Sequence, residues 1–208
     1  YTSMEDVVRK VPQLHIAQLE ALATAGVFNE SFGQQRRDAL WSAGAVIQSR
    51  PGTLDGVTTG VEAPYLPGMQ PMEEAIADLW ATGVSTSGHP TEFLRVELER
   101  MGVATAMQLP QRGARGDEKV LVAGTVTHRQ RPMTAQGITF INLEDETGHI
   151  NVVCSVGCWA RYRKVARGAG ALLVRGRLEV GDGGVINVVA EHIAPLHVAA
   201  KVAARNFR

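Results

Sequence analysis

Aromatic residues are scarce in this chain: three Trp, three Tyr and five Phe, 5% of 208 residues. Binders of single-stranded nucleic acid gain affinity by stacking bases on aromatic rings, so the scarcity limits any such role to weak or sequence-tolerant contacts. Cysteine is scarcer still. Cys154 and Cys158 alone, four residues apart, cannot make a disulfide framework, and a reducing compartment is the simpler expectation. No apolar run approaches the roughly 18 residues of a bilayer span, and no basic-then-apolar leader opens the chain, so a cytoplasmic protein is expected. Net charge is absent, with 21 Lys and Arg against 21 Asp and Glu. There is no internal repeat and no low-complexity tract. No acid, base and nucleophile stand at a readable spacing, which argues against catalysis by these residues.

What is present is enough apolar content for packed cores, 45% of the chain, and an uneven distribution of charge. Residues 1–115 carry 9 cations and 13 anions, or −4, and residues 116–208 carry 12 and 8, or +4. A mildly basic C-terminal part suits a nucleic-acid contact.

The first fifty residues read as a three-helix bundle. Ser3 with Asp6 three residues on resembles a capping box. Ile16, Leu19, Leu22 and Ala23 share one helical face ending at Gly26, with Phe28 packing the exit. Arg36 to Ile47 forms the third helix, with Ala39, Leu40, Ala43 and Ile47 as its buried stripe. Residues 51–71, with Pro51, Pro64, Pro67 and Pro71, read as an extended linker. Residues 72–116 read as connector helices. One carries Met72, Ile76, Leu79 and Trp80, and Ser87-Gly88-His89-Pro90 breaks it. Thr91 caps a second, and Gly102 closes that one. Residues 111–117 lead on.

Residues 117–195 alternate with period two. Val120, Val122, Gly124 and Val126 share one face, Ile141 and Leu143 one face of the next strand, and Ile150, Val152 and Cys154 one face of a third. A helix around Trp159 to Val165 separates these from strands at Ala171–Val180 and Val185–Ile193, joined by Gly181-Asp182-Gly183-Gly184. Five strands with a helix after the third form an OB-type barrel, a fold used mostly to hold nucleic acid. The fold class expected is therefore α+β: a small helical bundle and connector helices followed by a five-stranded OB-fold barrel, with 196–208 as a C-terminal tail.

Three stretches together resemble the C-terminal part of bacterial C-family DNA polymerases. Leu19 to Phe28, followed by Arg36-Arg37-Asp38-Ala39-Leu40-Trp41, looks like the end of that family's helix-hairpin-helix region. Thr82 to Pro90, with Ser87-Gly88-His89-Pro90, looks like its connector. Phe140 to Gly148 completes the order in the barrel. Within the family the chain is most similar to the error-prone, damage-inducible ImuC type. Replicative members carry a clamp-binding peptide where residues 56–70 here hold Ala63-Pro64-Tyr65-Leu66-Pro67, and they continue into a clamp-loader-binding domain. Tyr1 in place of Met reads as a start inside a longer protein, and Arg208 as its natural end. The resemblance implies a non-catalytic part of a translesion DNA polymerase, with the palm carboxylates elsewhere and no cofactor here. It further implies recruitment through an ImuB-like inactive Y-family subunit and an ImuA-like RecA-related subunit. An isolated Gly26 in place of paired glycines makes the helix-hairpin-helix element a structural cap in this reading.

The candidate nucleic-acid-binding residues are Arg129 and Arg131, assigned to the loop after the first strand, Arg175 and Arg177 at period two on the fourth, and Phe140 with Asn142 on the second. Arginines in a groove would release counterions from phosphate, and Phe140, the only aromatic on the barrel strands, would stack a base. The bland alternatives are a solvated strand edge for the arginines and an inward core position for Phe140. Glu144, Asp145 and Glu146 alternate faces and read as turn chemistry, not a metal site. Cys154, Cys158 and His149 lack the second ligand pair that zinc wants. His89 reads as a local cap. The function expected is to hold single-stranded template and dock mutasome partners. The rival is a protein-interaction module whose groove takes a peptide of the ImuB-like subunit. An anticodon-type RNA-binding barrel is a third reading, which the preceding helices do not fit.

Overall fold

Alternation along residues 119–195 becomes, in the computed structural model, a sheet closed on itself. The structure describes residues 1–54, 60–113, 118–197 and 205–207. They divide into two units, Tyr1–Thr86 and Ser87–Arg208, a boundary that falls inside the stretch 72–116 read as connector.

In the first unit, α1 (Met4–Lys10) starts at Ser3, whose hydroxyl accepts from the Asp6 amide at 3.1 Å. Helix α2 (Ile16–Thr24) ends before Gly26, whose φ of 79° only glycine adopts without strain. Gly26 closes α2 as expected. It turns the chain into a further short helix, α3 (Val27–Phe32), which sequence reading took for a mere exit. Helix α4 (Arg36–Val46) buries Ala39, Ser42, Ala43 and Val46. Of the expected stripe, Ala39 and Ala43 are buried and Ile47 packs half-buried on the core, but Leu40 and its neighbour Trp41 are exposed, and Ser42 and Val46 complete the face that packs on α2. Residues 60–70 are irregular yet anchored, since Val61 accepts from the Ser42 hydroxyl at 2.6 Å and Pro67 from Arg37 at 2.9 Å. The part of the expected linker at residues 55–59 lies outside the described residues, as do residues 114–117 of the lead-in and 198–204 and 208 of the tail. Helix α5 (Pro71–Thr82) returns to the bundle. Arg36 reaches Asp78 at 2.7 Å and Arg37 grips Glu73 at 2.9 and 3.0 Å, while Trp80 is exposed.

The second unit begins with two short helices where one was expected, α6 (Pro90–Phe93) and α7 (Arg95–Arg100). Its N-cap is His89 and not Thr91, because Pro90 supplies the preset φ of the first helical position. After Gly102 comes β1 (Val103–Ala104), parallel to the barrel's first long strand, and then α8 (Leu109–Gly113). The barrel strands are β2 (Lys119–Gln130), β3 (Thr139–Asp145), β4 (Gly148–Cys154), β5 (Ala171–Val180) and β6 (Ile186–Pro195), with α9 (Val156–Gly168) after β4. A final strand, β7 (Arg205–Phe207), runs parallel to the end of β2.

Closure follows from the register. Partners run from Lys119 to Arg177, Val189, Val153, Phe140 and back to β2 at Gln130, eleven residues beyond the start (130 − 119). That stagger is the shear that lets five tilted strands close. It requires close backbone approach at Gly124, where a Cβ would stand 2.6 Å from the Glu144 carbonyl oxygen. The interior holds Val122, Ile141, Leu143, Val152, Leu172 and Val188 among others, all essentially without solvent contact. Cys154, Cys158, Trp159, Tyr162 and Val165 seal it from the side of α9.

Candidate nucleic-acid interface

Residues that alternate with this core form the barrel's outer face, and register places them in rows. Phe140 on β3, Val153 on β4 and Val189 on β6 are mutual partners, so they make one apolar row across three strands. The next row out is Asn142, Asn151 and Asn187, an amide on each of the same strands. None of these three side chains has a hydrogen-bond partner among the described residues. Phe140 is 38% exposed, which makes it an outward ring and not a core residue. The 3.6-residue logic of helices could not have found this surface, but the period-two alternation contains it. Sequence reading found Phe140 and Asn142 and missed Asn151, Asn187, Val153 and Val189, because cross-strand registers were needed to align them.

The four candidate arginines separate. Arg129 lies within β2, not in a loop, and is 6% exposed. Its guanidinium donates to the Ala166 carbonyl at 2.7 Å and also to that of Ala169, and burial lowers its pKa from the ordinary value. It closes the C-terminal end of α9, whose last carbonyls otherwise lack partners, and so cannot reach a phosphate. Arg131, two residues on, is exposed in the loop that leads to β3 and has no ion-pair partner among the described residues. Arg175 opens onto a cleft with Arg112, Lys119 and His192. Arg177 partners Val189 in that row and lies 3.5 Å from Glu191, a half-exposed pair.

At the opposite end of β3 and β4 the carboxylates are held by a dense set of hydrogen bonds, with Arg95 Nη1 the one buried side-chain nitrogen of the group without a partner among the described residues. Asp145 accepts from the amides of Ala106 (2.8 Å), Thr147 (2.7 Å) and Gly148 (3.0 Å) and from the Thr147 hydroxyl, so the acidic run is turn chemistry. Glu146 receives Arg95 at 2.5 and 2.9 Å and the Thr91 hydroxyl at 2.6 Å. Burial pushes the Glu146 carboxyl up, but the bonds from Arg95 and Thr91 outweigh it and hold the pKa below its ordinary value. His89 completes the clamp, with Nδ1 2.6 Å from Thr91 Oγ1 and Nε2 3.2 Å from Thr125 Oγ1. Burial lowers its pKa, against the pull of Glu144, Glu146, Asp145 and Glu92. The Ser-Gly-His-Pro stretch thus fastens α6 and α7 to the β3–β4 hairpin, a longer reach than local capping.

Cys154 faces the core while His149 is exposed on the outer face of the same strand, so the two do not converge, and no group of three or more possible metal ligands occurs among the described residues. Burial raises the Cys154 thiol to about 12 and that of Cys158 in the same direction, so neither is a ready nucleophile. One charged cluster was not read from the sequence. Arg161, Arg163, Lys164 and Arg167 all lie exposed on α9 and line one shallow cleft, a pattern visible once the helix is extended to its full thirteen residues.

Comparison with known proteins bears on both units. Residues 120–196 match the family described as OB-fold nucleic acid binding domain. Over its whole length the chain is similar to proteins named error-prone DNA polymerase: 52% identical to that of Mycobacterium bovis and 50% to that of Nocardia farcinica, covering 19% and 18% of those proteins. The chain therefore spans about a fifth of the length of the curated relatives it matches. Among solved structures, asparaginyl-tRNA synthetase from Pyrococcus horikoshii superposes with a TM-score of 0.39 at 18% identity, over 49% of this chain and 24% of that one. No helix among the described residues is long and apolar enough to cross a membrane.

Proposed function

This chain belongs to the error-prone DNA polymerase family, and from that premise we propose that its barrel holds single-stranded template DNA during synthesis past damage. As the chain corresponds to about a fifth of its relatives, nucleotidyl transfer is assigned to the rest of the protein. The observation that carries the reading is the pair of rows on β3, β4 and β6. An exposed ring with two valines offers a surface for base faces, and three amides beside it, without hydrogen-bond partners among the described residues, can donate to and accept from base edges or sugars. Arg131 at one rim and Arg177 and Lys119 at the other supply phosphate contacts. One aromatic gives modest affinity without a sequence code, which suits a template that must be read whatever its bases.

Fluorescence anisotropy with a labelled single-stranded oligonucleotide tests this. Binding should weaken as salt rises from low to physiological, and the variant carrying Phe140→Ala, Asn142→Ala and Asn151→Ala should bind at least tenfold more weakly. Salt-independent binding, or an unchanged triple variant, would remove DNA from this face. A second reading is favoured by the row itself, which apart from Phe140 is aliphatic: the face takes an apolar peptide from an ImuB-like partner, with an ImuA-like subunit in the same assembly. Titration with that subunit, and loss of its binding in the same triple variant, would mark that outcome.

A further inference from the structure

Residues 147–178 contain no Asp or Glu, in a chain where anions and cations are equal in number overall. Within this stretch α9 carries Arg161, Arg163, Lys164 and Arg167. At 100° per residue these four sweep an arc of about 160° on one side of the helix. Cys158, Trp159, Tyr162, Val165 and Ala166 occupy the other side and pack on the barrel core. The amphipathic division is therefore between barrel and cations, with no neutral polar face. All four cations are exposed, line one shallow cleft with Ala160 and Gly168, and make no ion pair among the described residues.

The ordinary structural use of cations on a helix is to complement the partial negative charge at its C-terminus. Here that position is already taken. Buried Arg129 donates to the carbonyls of Ala166 and Ala169, so the exposed four have no such work left. Nor do they protect a sheet edge, since α9 is a helix lying outside the barrel.

We infer that this face of α9 is a second DNA site, distinct from the Phe140 row, which grips the backbone of duplex DNA. The inference rests on the reading that the barrel binds DNA, but uses different residues. Duplex is the occupant because the arc offers charge and almost nothing else: no ring stands on it to stack an unpaired base. A duplex presents shielded bases and a denser line of charge, about one phosphate per 1.7 Å of axis. From Arg161 to Arg167 the helix rises about 9 Å, and long side chains extend that reach over several phosphates. Arginine's planar fork matches phosphate oxygens in pairs, and three of the four cations are arginine. A polymerase segment with an unpaired-strand face and a duplex face would hold template and paired DNA together.

The test compares this chain with a variant carrying Arg161→Gln, Arg163→Gln, Lys164→Gln and Arg167→Gln, using a blunt duplex and a short single strand across a salt series. The variant should lose at least tenfold in duplex affinity at low salt. Its slope of log affinity against log salt should fall by about 3 to 4, from 0.9 per phosphate contact. Single-strand binding should stay within about twofold, whereas Phe140→Ala should show the converse. Removing Lys10, Arg50 and Arg100, three exposed cations elsewhere, should leave the duplex slope within about one of the parent, which separates a site from bulk charge. A quadruple variant with unchanged duplex slope overturns the inference and leaves the groove reading standing. Loss of single-strand binding in Phe140→Ala with no duplex effect supports both. If the parent binds a single strand but no duplex, the second site is refuted alone. If it binds duplex through α9 but no single strand, the groove reading is refuted alone.

Discussion

The two ends of the β3–β4 hairpin face make opposite use of polar residues. At the turn, Asp145, Glu146, Thr91, Arg95 and His89 answer one another in a chain of short bonds. Along the middle of the strands, Asn142, Asn151 and Asn187 answer nothing among the described residues. A buried polar group without a partner costs more than its bond returns, so the turn end is held by folding. A half-exposed amide row carries no such penalty, because water serves it in the free state, and it remains available to a ligand. The same contrast separates Arg129 from Arg131: two residues apart in sequence, one is a structural tie and the other an exposed charge with no ion pair among the described residues.

If that division is right, substitutions should sort cleanly into those that unfold and those that unbind. The largest effect is expected from Arg129→Met, which leaves the Ala166 and Ala169 carbonyls without their donor. Urea denaturation should show a loss of about 2–4 kcal/mol, the range for breaking a buried charged bond network. A stable Arg129→Met that binds DNA weakly would instead return Arg129 to the groove. Next, Glu146→Gln should cost roughly 1.5–3 kcal/mol, as for bonds to a charged partner, with single-strand affinity unchanged.

The clamp also predicts a pH profile. His89 has its folded pKa below the ordinary value of 6.5, so the unfolded state takes up the proton first and stability declines as pH falls below about 6.5. Glu146 has its pKa below 4.5, so its contribution is present above that value and is lost as pH falls further, through its folded pKa. Both slopes have the same sign. His89→Asn should flatten the upper part of the decline in pH-dependent denaturation and leave the acid part; a parent with flat stability from pH 7 to 5 would contradict the clamp.

On the other side of the comparison, Phe140→Ala should weaken single-strand binding by about 5- to 150-fold, from 1–3 kcal/mol per stacked base, while the denaturation midpoint hardly moves because the ring is already partly in water. The smallest effects belong to the strand arginines. Arg177→Gln should reduce affinity about two- to threefold at low salt, since Glu191 already neutralises part of its charge. Arg175→Gln, facing the separate cleft, should do less. An Arg175 effect larger than that of Phe140 would move the ligand path toward Arg112 and His192.

Legibility followed the kind of signal each element carries. Strand β5 was bounded at Ala171 and Val180 because a half-buried strand writes its two faces in alternate letters. Helix α3 was hidden because six residues between two glycines show no full period. The stripe of α4 was misplaced only at Leu40, because sequence ranks a leucine above Ser42, whereas Ser42 and not Leu40 lies on the face buried against the bundle. His89 looked local because its second partner, Thr125, is thirty-six residues away.

By itself, then, the sequence determined the barrel, its strands in chain order and the family resemblance, since each is carried by neighbouring residues or by the chain as a whole. Only the tertiary structure decided which charges are free. Arg129 and Arg131 are indistinguishable as letters, and so are Asn142 and any solvated asparagine. What separates them is the eleven-residue stagger of barrel closure and the packing of α9, which bury one guanidinium against helix carbonyls and bring three distant amides into one row. Desolvation and cross-strand register act between residues far apart in the chain, and no local pattern of residues encodes them.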